Sequence, residues 1–223
     1  MKRVFMFNFS LEKVKRVIAI GAHSDDIEIG AGGTLLKLIE ANPDLKVCWV
    51  VFNAERTRFS EAQESAKEYL APLKKGYQVQ IASFRESYFP AQWGEIKDFF
   101  SRVVSDFFDE CDGLGPDLVF THTRDDRHQD HRVLSDLTWN AYRNNVILEY
   151  EILKYDGDLG RPNVYVPLTE RIAARKIELL FKHFKSQASS KHWFDGESFK
   201  ALARIRGLES ASLYAEAFYG RKI

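Results

Sequence analysis

The chain has 223 residues, enough for one α/β domain with a full core, and its 45% apolar and 29% charged content is that of an ordinary water-soluble globular protein. Lys+Arg and Asp+Glu both number 32, so a formal net charge of zero gives no electrostatic case for nucleic acid or an anionic membrane as the main partner. Only two cysteines occur, Cys48 inside an apolar run and Cys111, and neither has a CxxC partner, which excludes a disulfide framework and fits a reducing, cytoplasmic setting.

Residues 1–15 read as an edge segment or arm. Their apolar run is short and broken by Asn8, so neither a signal peptide nor a spanning helix is expected, and the sequon at Asn8 carries no weight without secretion. A buried strand is expected over Arg16–Gly21, followed by a polar loop with His23, Asp25 and Asp26, then a helix over Gly32–Ala41 that Asn42-Pro43 stops. A second strand spans Val47–Phe52. Ser60 and Gln63 form a capping-box pattern for a helix to Leu70. Tyr77–Ile81 reads as a third strand and Ser83–Trp93 as an irregular aromatic loop placed to lie over a site. Ile96–Phe108 has the clearest helical rhythm, with Ile96, Phe99, Phe100, Val103, Val104, Phe107 and Phe108 as core.

Asp117–Phe120 is a fourth strand, leading into a second polar cluster, Thr121–Arg132, and a helix over Asp130–Tyr142. A fifth strand is expected over Val146–Ile152 and a short extended piece over Val164–Leu168. Thr169 caps an amphipathic helix to Lys185, and the last forty residues read as polar loop and helix. With no repeat, low-complexity tract or linker, residues 1–223 are expected to form a single domain. The alternation of strand and helix predicts a mostly parallel sheet between two helical layers, a three-layer α/β/α sandwich of Rossmann-like type. A strand order of 3-2-1-4-5 sets strands one and four side by side, so that both polar clusters meet at the topological switch point, where open α/β sheets bind ligands.

Four of the six histidines (His23, His122, His128 and His131) follow these two strands. Imidazole nitrogen and carboxylate oxygen suit a divalent metal such as zinc, and a catalytic zinc takes about three protein ligands plus an open position. His23, Asp26 and His131 can supply three, leaving Asp25 and His128 for acid–base work. Isolated histidines such as His183 and His192 are better read as satisfied polar residues.

His23-Ser24-Asp25-Asp26 followed by Gly30-Ala31-Gly32-Gly33-Thr34-Leu35 resembles the AHPDDE…G-GGTL signature of the PIG-L/LmbE-like zinc-dependent N-deacetylases, and His128-Gln129-Asp130-His131-Arg132 resembles their HPDHR signature. His183…Ser186-Gln187, Arg206-Gly207 and Tyr214–Phe218 are similar to the family's H-SQ, RG and YAEAF elements, so the resemblance spans about residues 16–220. It implies a Rossmann-like fold, zinc or another divalent metal on His23, Asp26 and His131, and Asp25 as general base. It further implies His128 as oxyanion stabiliser or amine acid, Asp130 as the carboxylate orienting His128, and, more loosely, Arg58 as a substrate contact. The implied substrate is a small molecule, an N-acetylated amino sugar or its conjugate or nucleotide-sugar form. Ser24 and Gln129 stand where the family has prolines, which bears on loop geometry and substrate choice rather than on the ligand set. A homo-oligomer is compatible with these features.

Rival readings are a metal-dependent amidase of the same fold acting on a non-acetyl amide, and a non-catalytic nucleotide- or sugar-binding protein. Against a dinucleotide site, GxGxxG is absent and carboxylates at the strand-to-helix turn would repel a pyrophosphate. Aromatic residues of Ser83–Trp93, and Trp193 with Phe194, suit either stacking on a sugar or simple packing. Arg56, Arg58, Arg124 and Arg127 suit an anionic group on the sugar or plain solvation.

Overall fold

The computed structural model describes residues 13–73, 76–109 and 114–222; the arm expected before residue 13 and Cys111 lie outside them. Seven strands form one sheet in the order β3-β2-β1-β4-β5-β7-β6: β1 (Arg16–Gly21), β2 (Lys46–Val51), β3 (Tyr77–Ile81), β4 (Leu118–His122), β5 (Val146–Tyr150), β6 (Val164–Leu168) and β7 (Tyr214–Gly220). β1 to β5 pair in parallel, and β7 enters antiparallel between β5 and β6. The helices are α1 (Asp26–Ala41), α2 (Thr57–Leu70), α3 (Trp93–Asp109), α4 (Gln129–Tyr142), α5 (Glu170–His183), α6 (Lys185–Ser190) and α7 (Gly196–Glu209).

The continuous apolar run of β1 follows from its burial on both faces. Val17 and Ala19 join the core beneath α1, α2 and α5, while Ile18 and Ile20 join the core beneath α3 and α4. Cys48 lies in that second core. The chain moves from β1 outward through β2 to β3, then returns to β4 on the other side of β1. The switch point expected from the strand order is therefore present, with Val17–Ala19 paired to Leu118–Phe120. Among the described residues no helix is long and apolar enough to cross a membrane.

Three local expectations need correction. First, α1 starts at Asp26, six residues before the expected Gly32. Glycines are poor helix formers, but here tertiary packing requires them. A Cβ on Gly30 would overlap the Tyr150 ring, and one on Gly33 would come 2.6 Å from Leu168 Cδ1. Second, Ser60 does not cap α2, which begins at Thr57; the Ser60 hydroxyl instead donates to the Thr57 carbonyl at 2.8 Å. Third, Tyr214–Gly220 is a buried strand and not loop or helix. Tyr214, Phe218 and Tyr219 suit a strand, but the buried Glu216 looks out of place until its partners are seen. Its carboxylate accepts the Gly33 and Thr34 backbone N–H groups at 2.7 and 2.6 Å and pairs with Lys176 at 2.6 Å, splinting α1 behind the site.

Candidate metal centre

β1 ends at Gly21 and β4 at His122, so the residues that follow both strands meet at the carboxyl edge of the sheet. Asp25 is the N-cap of α1 and Asp26 its first residue. This sets two carboxylates at the positive end of a helix, which favours negative charge there. His128 is the N-cap of α4, and its Nδ1 accepts the Asp130 backbone N–H. All of His23, Asp25, Asp26, Asp130 and His131 are buried, while His128 is partly exposed.

His23 Nδ1, Asp26 Oδ2 and His131 Nε2 form a triangle with sides of 3.1, 3.4 and 3.6 Å. A tetrahedral centre with bonds of about 2.0–2.1 Å places its ligand atoms about 3.3–3.4 Å apart, so the triangle fits one face of a zinc site. The outer nitrogens are fixed by carboxylates. His131 Nδ1 meets Asp126 Oδ2 at 2.8 Å, and His23 Nε2 meets Asp130 Oδ2 at 3.3 Å. A proton held on each outer nitrogen turns the lone pair of the other toward the triangle, the usual arrangement for ligand histidines.

This corrects the expected role of Asp130. Its carboxylate does not orient the His128 ring; it accepts the Ser87 and Phe89 backbone N–H groups, at 2.6 and 3.1 Å, and faces His23. Only the Asp130 backbone N–H reaches His128. Spacing could not reveal this, because Asp130 is two residues from His128 but 107 from His23 along the chain. Asp126, which the sequence motifs do not single out, joins the site from within the second polar cluster.

The electrostatics separate the two adjacent aspartates. Burial raises Asp25, and the neighbouring Asp26 adds to this, so that it reaches about 6 despite Arg58 and His23. Asp26 is buried too, but His131 and His122 outweigh burial and hold it well below the usual carboxylate range. Burial, then His122, pushes His131 down to about 3 and keeps it neutral. Burial alone would lower His23, but Asp130 and Asp26 prevail and raise it to about 10, so a metal taking up Nδ1 would have to displace a proton there. His128 is lowered, by burial and then by His23. With Nδ1 accepting from Asp130, neutral His128 carries its proton on Nε2.

Other groups of ligand type lie nearby. His122 stacks on His131 with ring centroids 3.9 Å apart; its Nε2 accepts the Ala22 N–H at 3.0 Å, lies 3.2 Å from the Tyr150 hydroxyl and 3.3 Å from Asp26 Oδ2, so that Asp26, His122 and His131 form a second buried group of ligand type. Asp126, Asp156 and Asp158 also cluster, around the ammonium of Lys154.

Arg58 lies at the mouth. Its Nη2 is 3.8 Å from Asp25 Oδ1, its Nη1 is 3.4 Å from Glu86, and its Nε donates to the Ser24 hydroxyl at 3.2 Å. With its amide oxygen turned toward the guanidinium, Gln187 accepts from Arg58 Nη2 at 2.9 Å. The two departures from the family prolines thus make contacts of their own: Ser24 holds Arg58, and the Gln129 amide donates to the Ser87 carbonyl. Apart from Gln187, the tail elements act from behind. Ser186 donates to Glu61 on α2, Arg206 pairs with the buried Glu151 at 2.7 Å, and a Cβ on Gly207 would come 2.6 Å from the Leu213 carbonyl oxygen. Phe194 packs in the core against Phe181 and Phe199 and is no stacking platform.

A sequence model described as PIG-L: GlcNAc-PI de-N-acetylase matches residues 18–142, more than half of the chain and both polar clusters. Several solved structures share the fold. The N,N'-diacetylchitobiose deacetylase from Pyrococcus horikoshii has a TM-score of 0.71 and 20% identity, over 96% of this chain and 86% of that one. The A40926 pseudoaglycone deacetylase Dbv21 has a TM-score of 0.68 and 19% identity, over 93% and 97%. GalB, the 4-carboxy-2-hydroxymuconate hydratase from Pseudomonas putida KT2440, has a TM-score of 0.67 and 17% identity, over 94% and 97%. A hydratase among these structures shows that the architecture alone does not settle the reaction.

Proposed function

We propose, from the premise that this chain belongs to the PIG-L (GlcNAc-PI de-N-acetylase) family, that it is a zinc-dependent hydrolase removing the acetyl group from an N-acetylated amino sugar or a conjugate of one. The observation that carries this reading is the triangle of His23 Nδ1, Asp26 Oδ2 and His131 Nε2, with Asp130 and Asp126 behind the two histidines. Beside it stands a carboxylate with a free oxygen. Asp25 Oδ2 is buried and has no hydrogen-bond partner.

When bound, zinc supplies the Lewis acidity that polarises an amide carbonyl and lets water lose a proton near neutrality. Asp25, raised to about 6, is ionised at neutral pH and basic enough to take that proton. It then holds the proton close to the nitrogen that leaves as an amine. His128 offers an Nε2–H to the oxygen on which negative charge develops; a ring nitrogen of His128 lies within 4.8 Å of those of His23 and His131. Arg58, held by Ser24 and Gln187, faces the same space and is available to a sugar hydroxyl or anionic substituent.

The test is release of acetate and free amine in equal amounts from a panel of N-acetyl sugars and nucleotide sugars, abolished by a chelator and restored by zinc. Asp25→Asn should retain zinc and lose about 10²–10⁴-fold in rate. Turnover by Asp25→Asn near the wild-type rate would remove the base assignment. Zinc content unchanged in His23→Ala or His131→Ala would remove the ligand assignment.

A further inference from the structure

Behind the triangle lies a partly buried charge cluster, of which the proposed hydrolysis uses only Asp126. Lys154, on the segment after β5, has a side chain only 8% exposed. Its Nζ lies 2.8 Å from Asp158 Oδ2, 3.1 Å from Asp126 Oδ1 and 3.4 Å from Asp156 Oδ2. The three carboxylates have oxygens within 4.8 Å of one another, a constellation suited to a cation, and the lysine ammonium fills it. Both of its nearer partners grip the turn that leads into α4. Asp126 Oδ1 accepts the His128 backbone N–H at 2.7 Å, and Asp158 Oδ2 accepts the Arg127 backbone N–H at 2.9 Å. The other oxygen of Asp126 is the one that fixes His131 Nδ1, at 2.8 Å.

We propose that Lys154 is a positioning residue for the metal centre, an internal cation that holds the Asp126 carboxylate in place and, through it, the ligand face of His131. The inference rests on the reading of His131 as a metal ligand. Its physical basis is the cost of leaving a buried charge without its partner. Without the ammonium, the fully buried Asp126 stands beside Asp158 with no compensating cation. Repulsion from Asp158 then displaces the Asp126 carboxylate from its present position, which loosens both the His131 ring and the peptide of His128. A partner behind a ligand histidine typically contributes 10–100-fold to metal affinity, and Lys154 acts one step further back, through that partner.

The experiment measures the zinc dissociation constant by competition with a chromophoric chelator. The proteins compared are wild type, Lys154→Met, Lys154→Arg, Asp126→Ala, the Lys154→Met/Asp126→Ala double variant and His131→Ala, with thermal melts recorded alongside. Lys154→Met is expected to weaken zinc by about 10-fold or more, and Lys154→Arg to stay near wild type. In the Asp126→Ala background Lys154→Met should add little, because the two act in series. A lowered melting temperature with an unchanged zinc constant would overturn the proposal and leave Lys154 a purely stabilising residue. So would losses that multiply in the double variant. If His131→Ala binds zinc as wild type does, the metal-ligand reading itself fails and this inference with it. Should Lys154→Met not fold, Lys154→Gln, which keeps a donor without the charge, carries the same comparison.

Discussion

Replacing Asp130 by alanine separates two roles that the motif alone confounds. If the carboxylate served His128, its loss would slow turnover and leave metal binding intact. In the structure it serves His23, together with the Ser87 and Phe89 amides. Asp130→Ala should therefore weaken zinc by about 10–100-fold, which is about 1.4–2.8 kcal/mol at 1.4 kcal/mol per decade. Folding should suffer separately. The Ser87 amide belongs to an exposed residue and can turn to water, but Phe89 is buried, and leaving its N–H without an acceptor costs about 1–3 kcal/mol. At roughly 2–4 °C per kcal/mol for a chain of this size, the melting temperature should fall by about 2–12 °C. Chelator competition gives the first quantity and a calorimetric scan of the metal-free protein the second. A wild-type zinc constant in Asp130→Ala, with kcat reduced, would refute the His23 assignment and restore the one expected from the motif.

Three further outcomes follow from the geometry. Gly30→Ala drives a methyl into the Tyr150 ring, whose hydroxyl donates to the Ile20 carbonyl; it should cost about 1–3 kcal/mol, and an unchanged melting curve would deny the close approach of α1 to β5. Gln129→Pro restores the family residue at the first position of α4, where His128 (φ −74°, ψ 124°) already has the extended backbone that proline requires before it. Stability should hold to within about 1 kcal/mol, while loss of the tether to Ser87 speeds hydrogen exchange over residues 84–92 and raises KM; exchange rates equal to wild type would show that the tether does not restrain the loop. The pH profile of kcat/KM should show an acid limb. Asp25, raised to about 6, takes up a proton as pH falls through that value and can no longer act as base, and a cation bound beside it can only lower the midpoint. An acid limb centred above about 7 would exclude Asp25 as the controlling group.

What could be read from the sequence was what is local along the chain. The apolar run of Arg16–Gly21, the helical rhythm of Ile96–Phe108 and the return of a strand before the second polar cluster specified the parallel sheet and its switch point. The proposed ligands were legible for a similar reason: His23 and Asp26 follow the end of one strand within five residues, His131 lies in the polar cluster that follows another, and strand ends are visible as breaks in hydrophobicity. Tertiary structure decided what depends on contacts between distant segments. It gave Asp130 to His23 rather than to the nearby His128, and set Asp126 and Lys154 behind His131. It also drew the glycine-rich start of α1 into a helix, because Tyr150 and Leu168 leave no room for side chains there. It buried Tyr214–Gly220 as a strand, because Glu216 finds in α1 and Lys176 the partners that a buried carboxylate requires. Propensity and spacing act within one stretch of chain, whereas a buried charge or proton is placed by whichever group the fold brings within about 3 Å of it, and no local pattern encodes that.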